Sequence, residues 1–204
     1  MQSLFLKVWK KTIDDKWKPP IEWEIIEGDI QPQWILEGNK IHKRLISTDL
    51  KRDAMNDTFN RDGYIGEKAI QSTVNQWGFS IQDFDIERKN YKKDDGRDFY
   101  WDGWFDVKAS PIKDGFEISS KICLLIKKDN LEMLEDPGCV VTGLCFVKIS
   151  YTQRKYWILG YIDRFSLLEN VVPPWFEVPY PCQVLKMSNL VEFGQEFRKF
   201  IFRV

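Results

Sequence analysis

The sequence predicts a mixed α/β fold, and three stretches carry that prediction. Over Gly63–Gly78, Ile70, Val74 and Trp77 recur at helical spacing before a glycine that suits a helix stop. Over Arg97–Ala109, two short runs rich in aromatic and β-branched residues flank Asp102-Gly103, a strong turn signal. Cys139–Ile149 is an apolar run of strand length and composition. With 204 residues and 43% hydrophobic content, the chain can bury one substantial core.

Residues 1–60 hold apolar bursts at Leu4–Trp9, Ile21–Ile26, Trp34–Leu36 and Lys40–Ile46, broken by Pro, Gly and Asp. They read as an extension of short strands and loops rather than long helices. The core is expected over 61–165: the helix, a strand over Phe79–Ile86, the Arg97–Ala109 hairpin, then a helix capped by Ser119 or Ser120 with Ile122, Leu125 and Ile126 on one face. The Cys139–Ile149 strand follows, with one more over Tyr156–Ile162. In 166–204, Val171–Pro174 and Pro179–Pro181 mark an irregular connection, and Leu190, Phe193, Phe197 and Phe200 or Ile201 suit an amphipathic closing helix.

The hairpin is also where the chemistry concentrates. Acid-x-Lys triplets occur by chance in a chain that is 30% charged, at Asp14, Asp49, Glu87 and Asp106, and only Asp106 sits in a strand-like segment. Asp106 and Lys108 then share a face, because side chains alternate along a strand. A three-residue loop, Trp101-Asp102-Gly103 with the glycine left-handed, sets Tyr100 opposite Trp104 and Asp98 opposite Asp106. Facing carboxylates repel unless a cation or Lys108 lies between them. Glu67 continues the Ile70–Val74–Trp77 stripe, where either something inside the protein needs an acid or the dipole of the first helical turn favours one.

Helix with Glu67, strand, strand with Asp98, strand with Asp106 and Lys108: this order resembles the PD-(D/E)XK nuclease superfamily over about Gly63–Ile162. The resemblance implies a restriction-endonuclease-like αβββαβ core, a mixed central sheet flanked by helices, with N- and C-terminal additions. It implies a Mg²⁺-dependent endonuclease, Mn²⁺ also serving, acting on DNA. Asp98 and Asp106 match the acidic metal ligands, Glu67 the helix glutamate that many members add, and Lys108 the catalytic lysine; the Val107 carbonyl completes the expected ligand set. Arg97 stands where the motif name has proline, and Lys121 falls where some members place a basic residue. Restriction-type cutting or junction resolution would further imply a homodimer.

The net charge of −1 stands against nucleic-acid binding, but Arg88, Lys89, Lys92, Lys93 and Arg97 cluster before the hairpin, as phosphate contacts or as a solvated loop. A lone His42 and four cysteines without paired spacing leave zinc and triad chemistry without parts, and free thiols suit a reducing cytoplasm. No phosphate-binding glycine loop and no apolar run of membrane-spanning length occurs, so neither a nucleotide cofactor nor a membrane partner is expected. A resolvase or repair nuclease of the same fold, an inactive binding module, and a plain surface ladder of ion pairs are the competing readings.

Overall fold

The computed structural model describes residues 7–11, 23–47, 59–78, 81–83, 97–100, 103–113, 115, 118, 122–178 and 180–191. Two strands, β1 (Lys7–Lys11) and β2 (Trp23–Asp29), precede helices α1 (Pro32–Ser47) and α2 (Phe59–Gln76). Strands β3 (Gln82–Asp83), β4 (Phe99–Tyr100), β5 (Trp104–Pro111) and β6 (Cys123–Lys127) lead to α3 (Lys128–Glu135). Then come β7 (Val141–Ser150), β8 (Lys155–Asp163), α4 (Arg164–Asn170), β9 (Cys182–Lys186) and a 3₁₀ turn over Met187–Asn189.

The fold is mixed α/β. One sheet runs in the order β1-β2-β8-β7-β5-β4-β3, with β5 and β7 parallel and the other neighbours antiparallel. A parallel pair needs a crossover, and the segment carrying β6 and α3 supplies it. β7 is central, and its run Gly143–Val147 is buried on both faces, which accounts for its nearly unbroken apolar sequence.

On one face, Ile65, Ala69, Ile70 and Val74 of α2 pack with Phe105 and Val107 of β5, Cys145, Val147 and Ile149 of β7, and Tyr156 and Ile158 of β8. The opposite face, with Leu144, Phe146, Trp157 and Leu159, packs against Leu124, Ile126, Leu131, Leu134, Leu167 and Leu185 from the helices α3 and α4 and the separate β6–β9 ribbon. At Gly66 a Cβ would come within 2.6 Å of the Ala109 Cβ and 3.1 Å of Val107 Cγ1, so the missing side chain lets α2 lie directly on β5. The helix ends as expected: Gly78 takes φ of 86° and its amide returns to the Asn75 carbonyl at 3.0 Å.

Several expectations are corrected. The bursts Trp34–Leu36 and Lys40–Ile46 belong to one helix, α1. Pro32 and Gly38 read as breakers, yet proline is favoured at a first helical position, and Gly38 permits close approach to Arg61 of α2. Residues 122–126 form no capped helix: Leu124 and Ile126 alternate inward along strand β6, which pairs with β9, and the helix starts only at Lys128. A short apolar run carries no period that separates strand from helix. In 166–204, the described residues between α4 and β9 are irregular, as expected over Val171–Pro174 and Pro179–Pro181; Leu190 is buried, while the rest of the expected closing helix lies outside the described residues. Ser119 and Ser120 also lie outside them. Cys139–Ile149 and Tyr156–Ile162 correspond to β7 and β8.

Candidate active site

The site forms where β4 and β5 part. Phe99 pairs with Phe105 and Tyr100 with Trp104, the register of a three-residue loop. Both pairs add ring contacts, Phe99 stacked on Phe105 at 5.3 Å and Tyr100 edge-on to Trp104 at 5.1 Å. Trp101 and Asp102 lie outside the described residues. Gly103 takes a positive φ of 158°, which favours glycine, and a Cβ there would also run into the Thr142 side chain.

Asp98 stands one residue before β4, and its amide donates to the Phe105 carbonyl at 2.9 Å. The ladder goes no further, so the next β5 amide on that edge has no strand partner. The Asp98 carboxylate takes its place: Oδ2 accepts the Val107 amide at 2.6 Å. A strand residue sends its amide and carbonyl out on the same edge, which aims the Val107 carbonyl toward Asp98 as well.

Asp106 and Lys108 share one face of β5, as the alternation requires. Their register partners on β7 are Leu144 and Phe146, which belong to the face opposite α2. Lys108 Nζ lies 2.6 Å from Asp106 Oδ2, an ion pair off the line of a directed hydrogen bond. Asp98 and Asp106 are both buried, and the charge of Asp106 acts on the Asp98 carboxyl. Burial first, and the charge of Asp106 second, push the Asp98 carboxyl well above the usual carboxylate range, against the pull of the Val107 amide and of Lys108. Folding therefore favours the protonated form of Asp98.

That donor set suits a hard divalent cation. Two carboxyl groups brought together out of water repel unless a proton or a cation relieves the charge between them. With the Val107 carbonyl beside them, they offer the oxygen ligands Mg²⁺ prefers, while water completes its shell.

The other expected residues divide. Glu67 is half-buried on α2, in its third turn rather than its first, where the acid is Asp62; the first-turn dipole explanation therefore does not apply to it. Its neighbour Gly66 packs against Val107 and Ala109, on the face away from Asp106 and Lys108. The structure brings Asp98 and Asp106 together. Arg97 lies with its guanidinium 5.9 Å from the Trp104 ring centre. Arg88, Lys89, Lys92, Lys93 and Lys121 fall outside the described residues.

Two neighbours escape sequence reasoning. Cys145 lies fully buried behind the acids, its thiol pushed well up by burial and then by the Asp106 and Asp98 charges. Lys148 on β7 sits on the same face as Lys108, hydrogen-bonded to Ser110 at 2.7 Å. A lysine inside the otherwise apolar run Gly143–Ile149 was the one available signal for it. No protein-family model matches the chain, and comparisons with curated proteins and with solved structures return no match.

Proposed function

We propose that this chain is a divalent-metal-dependent endodeoxyribonuclease of the PD-(D/E)XK type, its α2-to-β7 segment serving as a restriction-endonuclease-like core. The observation that carries the reading is the junction of Asp98, Asp106 and Lys108: two buried acids whose charges act on each other, with an ammonium 2.6 Å from one of them, at the point where two strands separate. The helix–strand–strand–strand order from α2 through β5, with a strand parallel to β5 reached after β6 and α3, supports it. An ion-pair ladder on the surface would not sink both carboxyl groups below solvent.

Asp98, Asp106 and the Val107 carbonyl would hold Mg²⁺ or Mn²⁺. When bound, such an ion neutralises phosphate charge and makes hydroxide accessible near neutral pH. The chain's own residues do the rest. The Val107 peptide, fixed by Asp98, keeps Asp106 and Lys108 on one face and at one separation. Lys108, about a quarter exposed, can reach a nonbridging phosphate oxygen or orient the attacking water while Asp106 restrains its ammonium. Burial of the acids keeps bulk water from screening these charges.

The test is incubation with plasmid, single-stranded and branched DNA, with and without Mg²⁺ or Mn²⁺, on wild type, Asp106→Asn and Lys108→Met. Metal-dependent cleavage lost in both variants is the expected result. Discrete duplex fragments indicate restriction-type activity, and paired cuts at a branch indicate resolution by a symmetric dimer. Equal cleavage by wild type and Asp106→Asn, or none on any substrate, would overturn the proposal.

A further inference from the structure

We propose that Ser110 and Lys148 form a second phosphate subsite, on the same sheet face as Asp106 and Lys108, that takes a neighbouring phosphodiester of the bound DNA strand. The inference rests on the nuclease reading above and extends it to how the substrate is held.

Asp106, Lys108 and Ser110 occupy successive same-face positions of β5, each step about 6.6 Å along the strand. On the parallel neighbour β7, Lys148 is in register with Ser110, and its Nζ donates to Ser110 Oγ at 2.7 Å. The row therefore continues past the candidate catalytic lysine into a second cation with a hydroxyl beside it. Ammonium and hydroxyl together match the oxygens of a phosphodiester, and a strand following the row would meet them after Lys108.

Lys148 is half-buried, yet among the described residues no carboxylate pairs with it, which is an uncommon state for a lysine inside a sheet. Its flanks explain why. Lys108 on one side is of like charge, and on β8 the register partner is Trp157. The Trp157 indole N–H goes to Glu27 of β2 at 3.1 Å, and Glu27 is already engaged by Lys155 at 2.9 Å. Burial alone lowers the Lys148 ammonium to about 8, a cost that a bound anion would remove. A lysine kept only for its packing stem would be replaced by methionine without loss, and the test exploits this.

Binding of a short fluorescent DNA duplex, in EDTA so that cleavage is silent, is followed by anisotropy against salt and pH for wild type, Lys148→Met and Lys148→Arg. Lys148→Met should weaken binding about tenfold and reduce the salt slope by about 1. Wild-type affinity should fall as pH rises through about 8, whereas Lys148→Arg should hold it. The arginine variant also carries the test if the methionine variant fails to fold. Unchanged affinity and slope in Lys148→Met, a wild type flat across that pH range, or a wild type that does not bind the duplex, would each overturn the subsite. The nuclease reading is scored separately: Mg²⁺ should raise the melting temperature of wild type and of Lys148→Met alike, and a wild type indifferent to Mg²⁺ would fail that reading.

Discussion

The Asp98 carboxylate accepts the amide of Val107, the residue between Asp106 and Lys108, at 2.6 Å. One hydrogen bond thus ties the acid of the first strand to the backbone that spaces the acid and lysine of the second. Its consequences are measurable.

Asp98 titrates above its unfolded value, so folding favours its protonated form. The sign follows: that contribution is complete below the unfolded carboxyl value, near 3.9, and is lost as pH rises through the higher folded value. In EDTA, the urea midpoint of wild type should fall across this window, and Asp98→Asn should flatten the fall. Asp98→Asn should also lose the stabilisation that Mg²⁺ gives wild type. An identical pH slope in both proteins would contradict the assignment.

Lys108→Met should leave Mg²⁺ stabilisation intact while lowering the cleavage rate by about 100-fold or more, because the lysine acts on phosphate and water rather than on the ion. Asp106→Asn should remove both. Parallel thermal melts and single-turnover cleavage separate the two roles, and a Lys108→Met protein that no longer responds to Mg²⁺ would refute the division.

The hairpin could be read from sequence because its signals are local: alternation along β5, a turn at Asp102-Gly103, and a loop length that decides which residues face each other. The contacts that complete the site are not local. Ser110 and Lys148 are 38 residues apart and meet only through the parallel register of β5 with β7. The β6 strand is not legible in the sequence because Ile122, Leu125 and Ile126 fit a helical face, and its partner β9 lies far along the chain. Helix α1 was missed because Pro32 begins it and Gly38 serves its packing, two roles that look like interruption when no neighbour is visible.

Gly66→Ala tests how closely α2 must lie on β5. The new methyl would come within 2.6 Å of the Ala109 Cβ, so α2 or β5 must shift. Overpacking of this kind costs about 1–3 kcal/mol, against about 1 kcal/mol regained from helix propensity. A lowered denaturation midpoint is expected, with a larger proportional loss of cleavage, since β5 carries Asp106 and Lys108. Unchanged stability and activity would show that the layers tolerate separation.

Tyr151 donates to the fully buried carboxylate of Asp62 while Arg61 donates to the Tyr151 hydroxyl at 2.8 Å, joining the first turn of α2 to the β7–β8 turn. Burial raises Asp62, and the Tyr151 hydrogen bond opposes that rise. Tyr151→Phe should therefore destabilise the protein by about 1–3 kcal/mol near neutral pH. The loss should shrink in acid, where a protonated Asp62 no longer needs the bond. Denaturation at two pH values checks this, and a loss larger in acid than at neutral pH would reverse the sign.

On the proposed reading, hydrogen ions and metal would be rivals for one seat beside Asp98 and Asp106. Each ion captured would expel a proton into the surroundings, and the heat of metal uptake would follow the ionisation enthalpy of whichever buffer receives it. Mild acidification would then act as a reversible brake that extra Mg²⁺ releases.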